Sequence, residues 1–113
     1  MDMPPIQIEP QHAPVCATDI TLSNDESTRL ASIFKALSHP VRVQLLKFIR
    51  DGDGELCACN IEQHFDLTQP TISHHIKILR EAGLIISENR GVWVHHRIHP
   101  EGFEIIQAWL KGI

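Results

Sequence analysis

The chain has 113 residues, a formal net charge of −4 and 42% apolar residues. This length predicts one domain with a small core, and the absence of an apolar run long enough for a transmembrane helix argues against a membrane partner. The net charge excludes a uniformly basic nucleic-acid-binding protein. Because the first residues do not resemble a secretory leader, we expect a cytoplasmic protein whose thiols stay reduced.

Charge is unevenly distributed along the chain. The first 28 residues contain five acidic and no basic residues, whereas residues 67–100 contain four basic residues, two acidic residues and five of the eight histidines. The positive charge is therefore concentrated in one region of an otherwise acidic chain. A nucleic-acid-binding surface, if one exists, is expected there.

The first predicted segment is a flexible N-terminal arm. Residues 1–22 contain four prolines and little hydrophobic periodicity, which is typical of a flexible segment. Cys16 lies in this arm. The remaining residues, 23–113, are predicted to form the folded domain.

Two helices are predicted after the arm. Ser23 followed three residues later by Glu26 indicates a capping box, and apolar residues at helical spacing continue to Leu37. Pro40 suits the first turn of a second helix, which the turn-forming sequence "DGDG" ends.

Helices and a hairpin are predicted in the second half of the chain. A short helix in "NIEQHFDL" precedes a longer one that is capped by Thr68, has Pro70 in its first turn and ends at Gly83. The strand-like runs "LIIS" and "VWVHHRI" on either side of "ENRG" predict a hairpin, and Pro100 starts a last helix. The order predicts a mostly α protein with a β-hairpin wing, which is a winged helix-turn-helix.

The helix that follows Thr68 has two different faces. Ile72, Ile76 and Leu79 point inward, and His75 beside them is expected to be packed and hydrogen-bonded. The opposite face carries the predicted DNA-binding residues Gln69, Thr71, Ser73, His74, Lys77 and Arg80. Together with Arg90 near the hairpin tip, they suit the base edges and phosphates of operator double-stranded DNA. The alternative interpretation is an ordinary solvated helix face.

A homodimer is predicted because one such helix contacts only a few base pairs. Two recognition helices about 34 Å apart would read one turn of DNA. The first and last helices carry more apolar surface than a small monomer needs, and the predicted interface residues are Leu30, Phe34, Trp109 and Leu110. The alternative is that these residues belong to the core of a monomer.

Three motifs carry a resemblance to a known family. The segments "FKALSHPVRVQLLKFI", "ELCAC" and "LTQPTISHHIKILREAGLI" closely resemble the ArsR/SmtB family of metal-responsive bacterial repressors, over about residues 25–110. The resemblance implies a homodimeric winged helix, not an enzyme, that binds an operator in its metal-free state and is released by an inducer ion. Residues 23–113 are accordingly interpreted as a DNA-binding and dimerisation domain.

The resemblance also guides the choice of metal ligands. Some family members bind metal between the last helices of the dimer, but the first ligand positions of that site correspond here to Pro100 and, approximately, Gly102. That site is therefore not expected.

Other family members have a cysteine site that begins with "ELCxC", which Cys57 and Cys59 match. The third cysteine of the compact form of that site would stand at the position of Glu62. Related repressors recruit cysteines from the N-terminal arm instead, so Cys16 is expected to complete the site.

Three thiolates suit As(III) or Sb(III), which are soft and commonly three-coordinate, and no organic cofactor is expected. Residues two apart in a helix do not converge, so Cys57 and Cys59 can share an ion only if the chain is extended before the helix begins. The helix N-terminus is expected to favour thiolate over thiol. The leading hypothesis is a repressor of arsenic-resistance genes.

Several alternatives stay open. A repressor of the same fold responsive to Cd(II), Pb(II) or Zn(II) is one, and a redox sensor that forms a disulfide between Cys57 and Cys59, or with Cys16, is another. A winged helix that binds only proteins would have no operator affinity. A thiol reductase is disfavoured because the sequence has neither a C-x-x-C motif nor a βαβ pattern.

Overall fold

The computed structural model describes residues 23–52 and 55–113. The elements are α1 (Asn24–Ala36), α2 (Pro40–Asp51), β1 (Glu55–Cys57), α3 (Ala58–His64), α4 (Gln69–Glu81), β2 (Ile85–Arg90), β3 (Trp93–Ile98) and α5 (Pro100–Lys111). The predicted mostly α fold with a β wing is confirmed, and the five helices follow the predicted order. The arm predicted for residues 1–22, with Cys16, lies outside the described residues.

The predicted helix ends are confirmed by their caps. The Ser23 Oγ accepts a hydrogen bond from the Glu26 N–H at 3.1 Å, and the Thr68 Oγ1 accepts one from the Thr71 N–H at 3.4 Å. Each bond satisfies a backbone donor that has no partner within its helix. After α4, Gly83 adopts a φ of 80°, a left-handed conformation that glycine tolerates best.

The wing is part of a three-stranded antiparallel sheet with the order β1-β3-β2. β1 was not predicted as a strand. It pairs with β3 so that Leu56 stands opposite His96 and Cys57 stands opposite His95. A strand of three residues is too short to show an alternating pattern, so only its tertiary pairing reveals it.

The hairpin is longer than predicted. The ladder between β2 and β3 continues to the pair formed by Arg90 and Trp93, so the loop consists of Gly91 and Val92. The prediction that "ENRG" forms the turn was therefore wrong for its first three residues. Gly91 has a φ of 65°, which allows a two-residue loop to match the twist of the strands.

All five helices contribute to one hydrophobic core. Its buried residues are Ile33, Ala36, Leu45, Leu46, Ile49, Ile61, Ile72, Ile76, Leu79, Leu84, Ile85 and Ile106. The predicted inward face of α4 is confirmed by this burial. No helix in the described part of the chain has the length and apolarity needed to cross a membrane.

The end of α4 packs directly against the start of α5. The His99 N–H donates to the Leu84 carbonyl at 3.0 Å, and the His99 Nδ1 lies 3.0 Å from the Gly83 carbonyl oxygen. Gly102 is buried against the same turn, where a Cβ would overlap the Gly83 carbonyl oxygen. The chain therefore needs glycine at position 102 to seat α5 on the end of α4.

We expect Gly102→Ala to lower the free energy of unfolding by about 1–3 kcal/mol, because either helix must move to admit the methyl group. Chemical denaturation at one fixed protein concentration measures this. Gly112→Ala is the matched control, because a Cβ there meets its nearest atoms at an ordinary 3.6 Å. Equal losses in the two variants would contradict the proposed close approach.

Candidate nucleic-acid interface and thiol pair

α4 has one buried and one exposed face, as predicted. Ile72, His75, Ile76 and Leu79 are buried. The six predicted DNA-binding residues of the helix are all exposed and form what is called here the outer face of α4: Gln69, Thr71, Ser73, His74, Lys77 and Arg80. Their exposure meets the first requirement for reading DNA, and their contacts with DNA stay a prediction.

The outer face of α4 carries two basic side chains, Lys77 and Arg80, and within the described part of the chain their one salt bridge is weak. Lys77 Nζ lies 3.9 Å from the Glu81 carboxylate, with both side chains about two-thirds exposed. An exposed pair at this distance contributes little, so it would not prevent Lys77 from contacting a phosphate. Lys77 and Arg80 also line the rim of a cleft of about 380 Å³ between α3, α4 and β3.

Arg90 lies beside the loop of the wing. Its Nη2 is 3.7 Å from the Glu88 carboxylate, and its side chain is 48% exposed. Trp93, opposite Arg90, is half-exposed, and Val92 in the loop is 89% exposed. The wing tip therefore presents a guanidinium group next to apolar surface, which suits contact with a sugar-phosphate backbone.

Cys57 and Cys59 form a thiol pair at the start of α3. Cys57 is the N-cap residue of the helix and is extended, with φ −68° and ψ 146°. Its Sγ accepts a hydrogen bond from the Cys59 N–H at 3.3 Å. The expected extended approach to the helix is confirmed, and it places both half-buried thiols on the same turn.

The expectation that the helix N-terminus favours thiolate is wrong for Cys59. Hydrogen bonding with the Cys57 thiol raises the pKa of the Cys59 thiol, and desolvation acts in the same direction. Backbone N–H groups of Cys59 and Asn60 lower that pKa, but their effect is smaller. The neighbouring thiol therefore outweighs the helix N-terminus at Cys59.

The thiol pair is the described portion of the predicted metal site. Among residues 23–52 and 55–113, no group of three histidine, cysteine, aspartate or glutamate side chains converges to hold a metal ion. Glu62, at the position where a compact site would have its third cysteine, is exposed. Cys16 lies outside the described residues, so its role stays a prediction.

Two neighbouring histidines of β3, His95 and His96, point to opposite faces of the sheet, because side chains alternate along a strand. His96 is buried, and its Nδ1 lies 2.8 Å from the Ser87 Oγ. Burial lowers the pKa of His96, and the nearby positive charge of Arg80 lowers it further. His96 is therefore a buried histidine whose environment favours its neutral form.

The predicted dimer surface contains an aromatic pair. The rings of Phe34 on α1 and Trp109 on α5 meet edge to face, with centroids 5.6 Å apart. Both rings remain more than one-third exposed, and Leu110 is 52% exposed. Leu30 is already buried within the protomer at 6% exposure, so it has little surface left for a partner. The interface itself stays a prediction.

Comparison with known proteins identifies the family. The profile of the bacterial regulatory protein, arsR family, matches residues 39–87. An arsenical resistance operon repressor of Staphylococcus xylosus is 42% identical over 84 residues, which cover 74% of this chain and 79% of the relative. The chain belongs to the arsR family of bacterial regulatory proteins.

This regulator also resembles other proteins in sequence and structure. It is 40% identical to an arsenic resistance transcriptional regulator of Pseudomonas putida, over 72% of the chain but 62% of that relative's length. A solved ArsR family transcriptional regulator aligns with a TM-score of 0.68 at 29% identity, over 76% of this chain and 87% of the other. The winged helix and the family resemblance are thus confirmed. Membership of this family of bacterial regulatory proteins indicates a regulatory rather than an enzymatic role.

We expect Lys77→Gln to reduce the salt dependence of DNA binding by this regulator. If Lys77 of each protomer contacts a phosphate, the slope of log affinity against log salt concentration should become shallower by about two, since each lost contact releases about 0.9 fewer counterions. Fluorescence anisotropy with a duplex selected in vitro by the unmodified protein measures the slope.

Lys47→Gln is the matched control, because Lys47 lies on α2 and pairs with Asp51 at 2.8 Å. A slope that is unchanged in the Lys77 variant, or equally reduced in both, would remove Lys77 from the DNA interface.

Proposed function

We propose that this regulator is a cytoplasmic homodimeric repressor of arsenic-resistance genes, and that As(III) or Sb(III) releases it from operator DNA. The observation that carries the proposal is the thiol pair at the start of α3, where the Cys57 Sγ accepts a hydrogen bond from the Cys59 backbone N–H. The names of the relatives from Staphylococcus xylosus and Pseudomonas putida agree with an arsenic inducer. The proposed ligands are Cys57, Cys59 and Cys16.

The chemistry of the thiols favours a trivalent, soft inducer. Arsenous acid exchanges its three hydroxyl groups for three thiolates, and the three thiol protons leave with them as three water molecules. The raised pKa of the Cys59 thiol favours its protonated form, and the exchange with arsenous acid removes that proton. Two thiols from α3 and one from the arm supply the three bonds without a further ligand.

The location of the thiol pair supports coupling to both DNA-reading elements. α3 ends at His64, and only four residues connect it to α4. Cys57 is also the last residue of β1 and stands opposite His95 in β3, so it is attached to the wing as well. An ion that draws the thiols toward Cys16 would therefore shift α4 and the wing relative to each other and lower operator affinity.

The exposed apolar residues of α1 and α5 support the proposed homodimer. Phe34, Trp109 and Leu110 leave a patch that a second copy would bury. A two-fold dimer would place its two copies of α4 about 34 Å apart, which is the spacing of successive major grooves on one side of DNA.

We expect Cys57→Ser to bind the selected duplex normally but to lose sensitivity to As(III). Serine is a good N-cap residue, so α3 should keep its cap while the ligand is removed. The As(III) concentration for half-release should rise by at least about tenfold, because losing a ligand costs no less than losing an outer-shell partner. Anisotropy of the protein–DNA complex during an As(III) titration measures this.

The same titration tests the arm and the alternatives. Cys16→Ser should also bind DNA but lose the response, and an unchanged response would eliminate Cys16 as a ligand. Parallel titrations with Sb(III), Cd(II), Pb(II) and Zn(II) identify the inducer class. Release by hydrogen peroxide alone, with formation of a disulfide, would favour a redox sensor instead.

We expect Leu110→Glu to weaken dimer association by about a hundredfold or more, because an unpaired carboxylate in the interface costs several kcal/mol. Sedimentation velocity over a range of protein concentrations measures the change. Val92→Glu is the control, since Val92 is 89% exposed at the tip of the wing. A Leu110→Glu protein that stays dimeric would place the interface elsewhere.

A further inference from the structure

One buried cation connects three helices of this regulator. Arg42 on α2 is only 8% exposed. Its Nε donates to the Ala36 carbonyl oxygen at 2.7 Å, and its Nη2 donates to the Lys35 carbonyl oxygen at 3.2 Å. Both carbonyls lie in the last turn of α1, where the helix leaves acceptors without a partner of its own. The Lys35 carbonyl also accepts from Ser38, whereas Arg42 is the donor to the Ala36 carbonyl.

The third contact of Arg42 reaches the recognition helix. Its Nη1 lies 3.2 Å from the His75 Nδ1. Because arginine has only donors, Nδ1 must accept, and the ring must therefore be neutral with its proton on Nε2. His75 is 6% exposed and lies on the buried face of α4. It does not belong to the outer face of α4, so it takes no direct part in the proposed DNA contacts.

We propose that Arg42 and His75 are positioning residues for DNA recognition: their hydrogen bond fixes α4 relative to α1 and α2, and only the neutral form of His75 maintains it. The inference rests on operator binding by α4. Since α1 also carries part of the proposed dimer surface, the bond would help to set the distance between the two recognition helices. It adds two residues, neither of which touches DNA, to those that determine operator affinity.

The surroundings of His75 make its protonation unfavourable. Burial lowers the pKa of His75, followed by the charges of His39, Arg42 and His74. The His39 ring, which caps α2 through Nδ1, lies 4.5 Å from the His75 ring. Among the residues that the structure describes, no carboxylate is one of the groups that shift the pKa of His75. Arg42 also lines a groove together with Lys35 of α1 and Glu81 of α4.

Protonation would convert the acceptor of the bond into a second donor beside a guanidinium group. A histidine with a lowered pKa binds fewer protons in the folded protein than in the unfolded chain. Its contribution to stability is complete above the ordinary value of 6.5 and is lost as the pH falls below that value toward the lowered pKa. Operator affinity should follow the same direction, because DNA binding requires the positioned helix.

Two substitutions separate positioning from general packing. His75→Asn keeps an acceptor, because the asparagine Oδ1 is attached to Cγ in the same way as the histidine Nδ1, and asparagine does not titrate. His75→Leu fills similar space with no acceptor and leaves Arg42 with an unpaired buried donor. The probe is the duplex selected in vitro by the unmodified protein, with affinity measured by anisotropy from pH 7.5 to pH 5 at constant ionic strength.

At pH 7.5 we expect His75→Asn to bind within about threefold of the unmodified protein and His75→Leu to bind about tenfold more weakly. As the pH falls, the unmodified protein should lose affinity by about threefold or more relative to His75→Asn. This ratio cancels the pH effects of groups that both proteins share. A ratio that does not change with pH, or normal binding by His75→Leu, would overturn the inference.

Two further readouts keep the test decisive. If His75→Leu does not fold, the pH dependence of the ratio for His75→Asn decides the question alone. If the unmodified protein selects no duplex, the proposed operator binding fails. The positioning bond is then tested by thermal unfolding, in which the unmodified protein should lose stability relative to His75→Asn below pH 6.5. If the stabilities of the unmodified protein and of His75→Asn change equally with pH, the inference is overturned.

Discussion

Burial of the inner face of α4 is the constraint on which the rest of the structure depends. Ile72, Ile76 and Leu79 are each at most 6% exposed, and their burial contributes about 1.5–3 kcal/mol per side chain. Because this face is anchored in the shared core, the polar and basic residues on the opposite side must face solvent. The same helix thus stabilises the domain and presents the surface that is proposed to read DNA, so a displacement of α4 affects both.

Contacts at the two ends and on the inner face of α4 control its position. At the C-terminal end of α4, the Gly83 carbonyl contacts Gly102 and the His99 side chain, which packs the start of α5 against α4. On the inner face, Arg42 connects His75 to the last turn of α1. Before its start, α3 carries the thiol pair, which β1 also connects to the wing. The proposed inducer site and the proposed positioning bond therefore reach the same helix from different sides.

The sequence predicted those features of the fold and the site that depend on neighbouring residues. Helix caps such as Ser23 and Thr68 act within one turn, and the burial of His75 follows from its angular position beside the apolar face of α4. The turn of the hairpin was misplaced because the pairing of Arg90 with Trp93 depends on the whole ladder. The lowered pKa predicted for the thiols was wrong for Cys59 because the neighbouring thiol outweighs the helix N-terminus.

By itself, the sequence determined the number and order of the helices, the two faces of α4, the extended approach to the thiol pair and the resemblance to the arsR family. These depend on periodicity, capping and local spacing, which act over a few residues. Only the tertiary structure decided that β1 joins the wing, that Gly102 must lack a side chain and that Arg42 donates to His75. Each of these is a contact between segments distant in sequence, and its strength comes from burial and geometry that no local pattern contains.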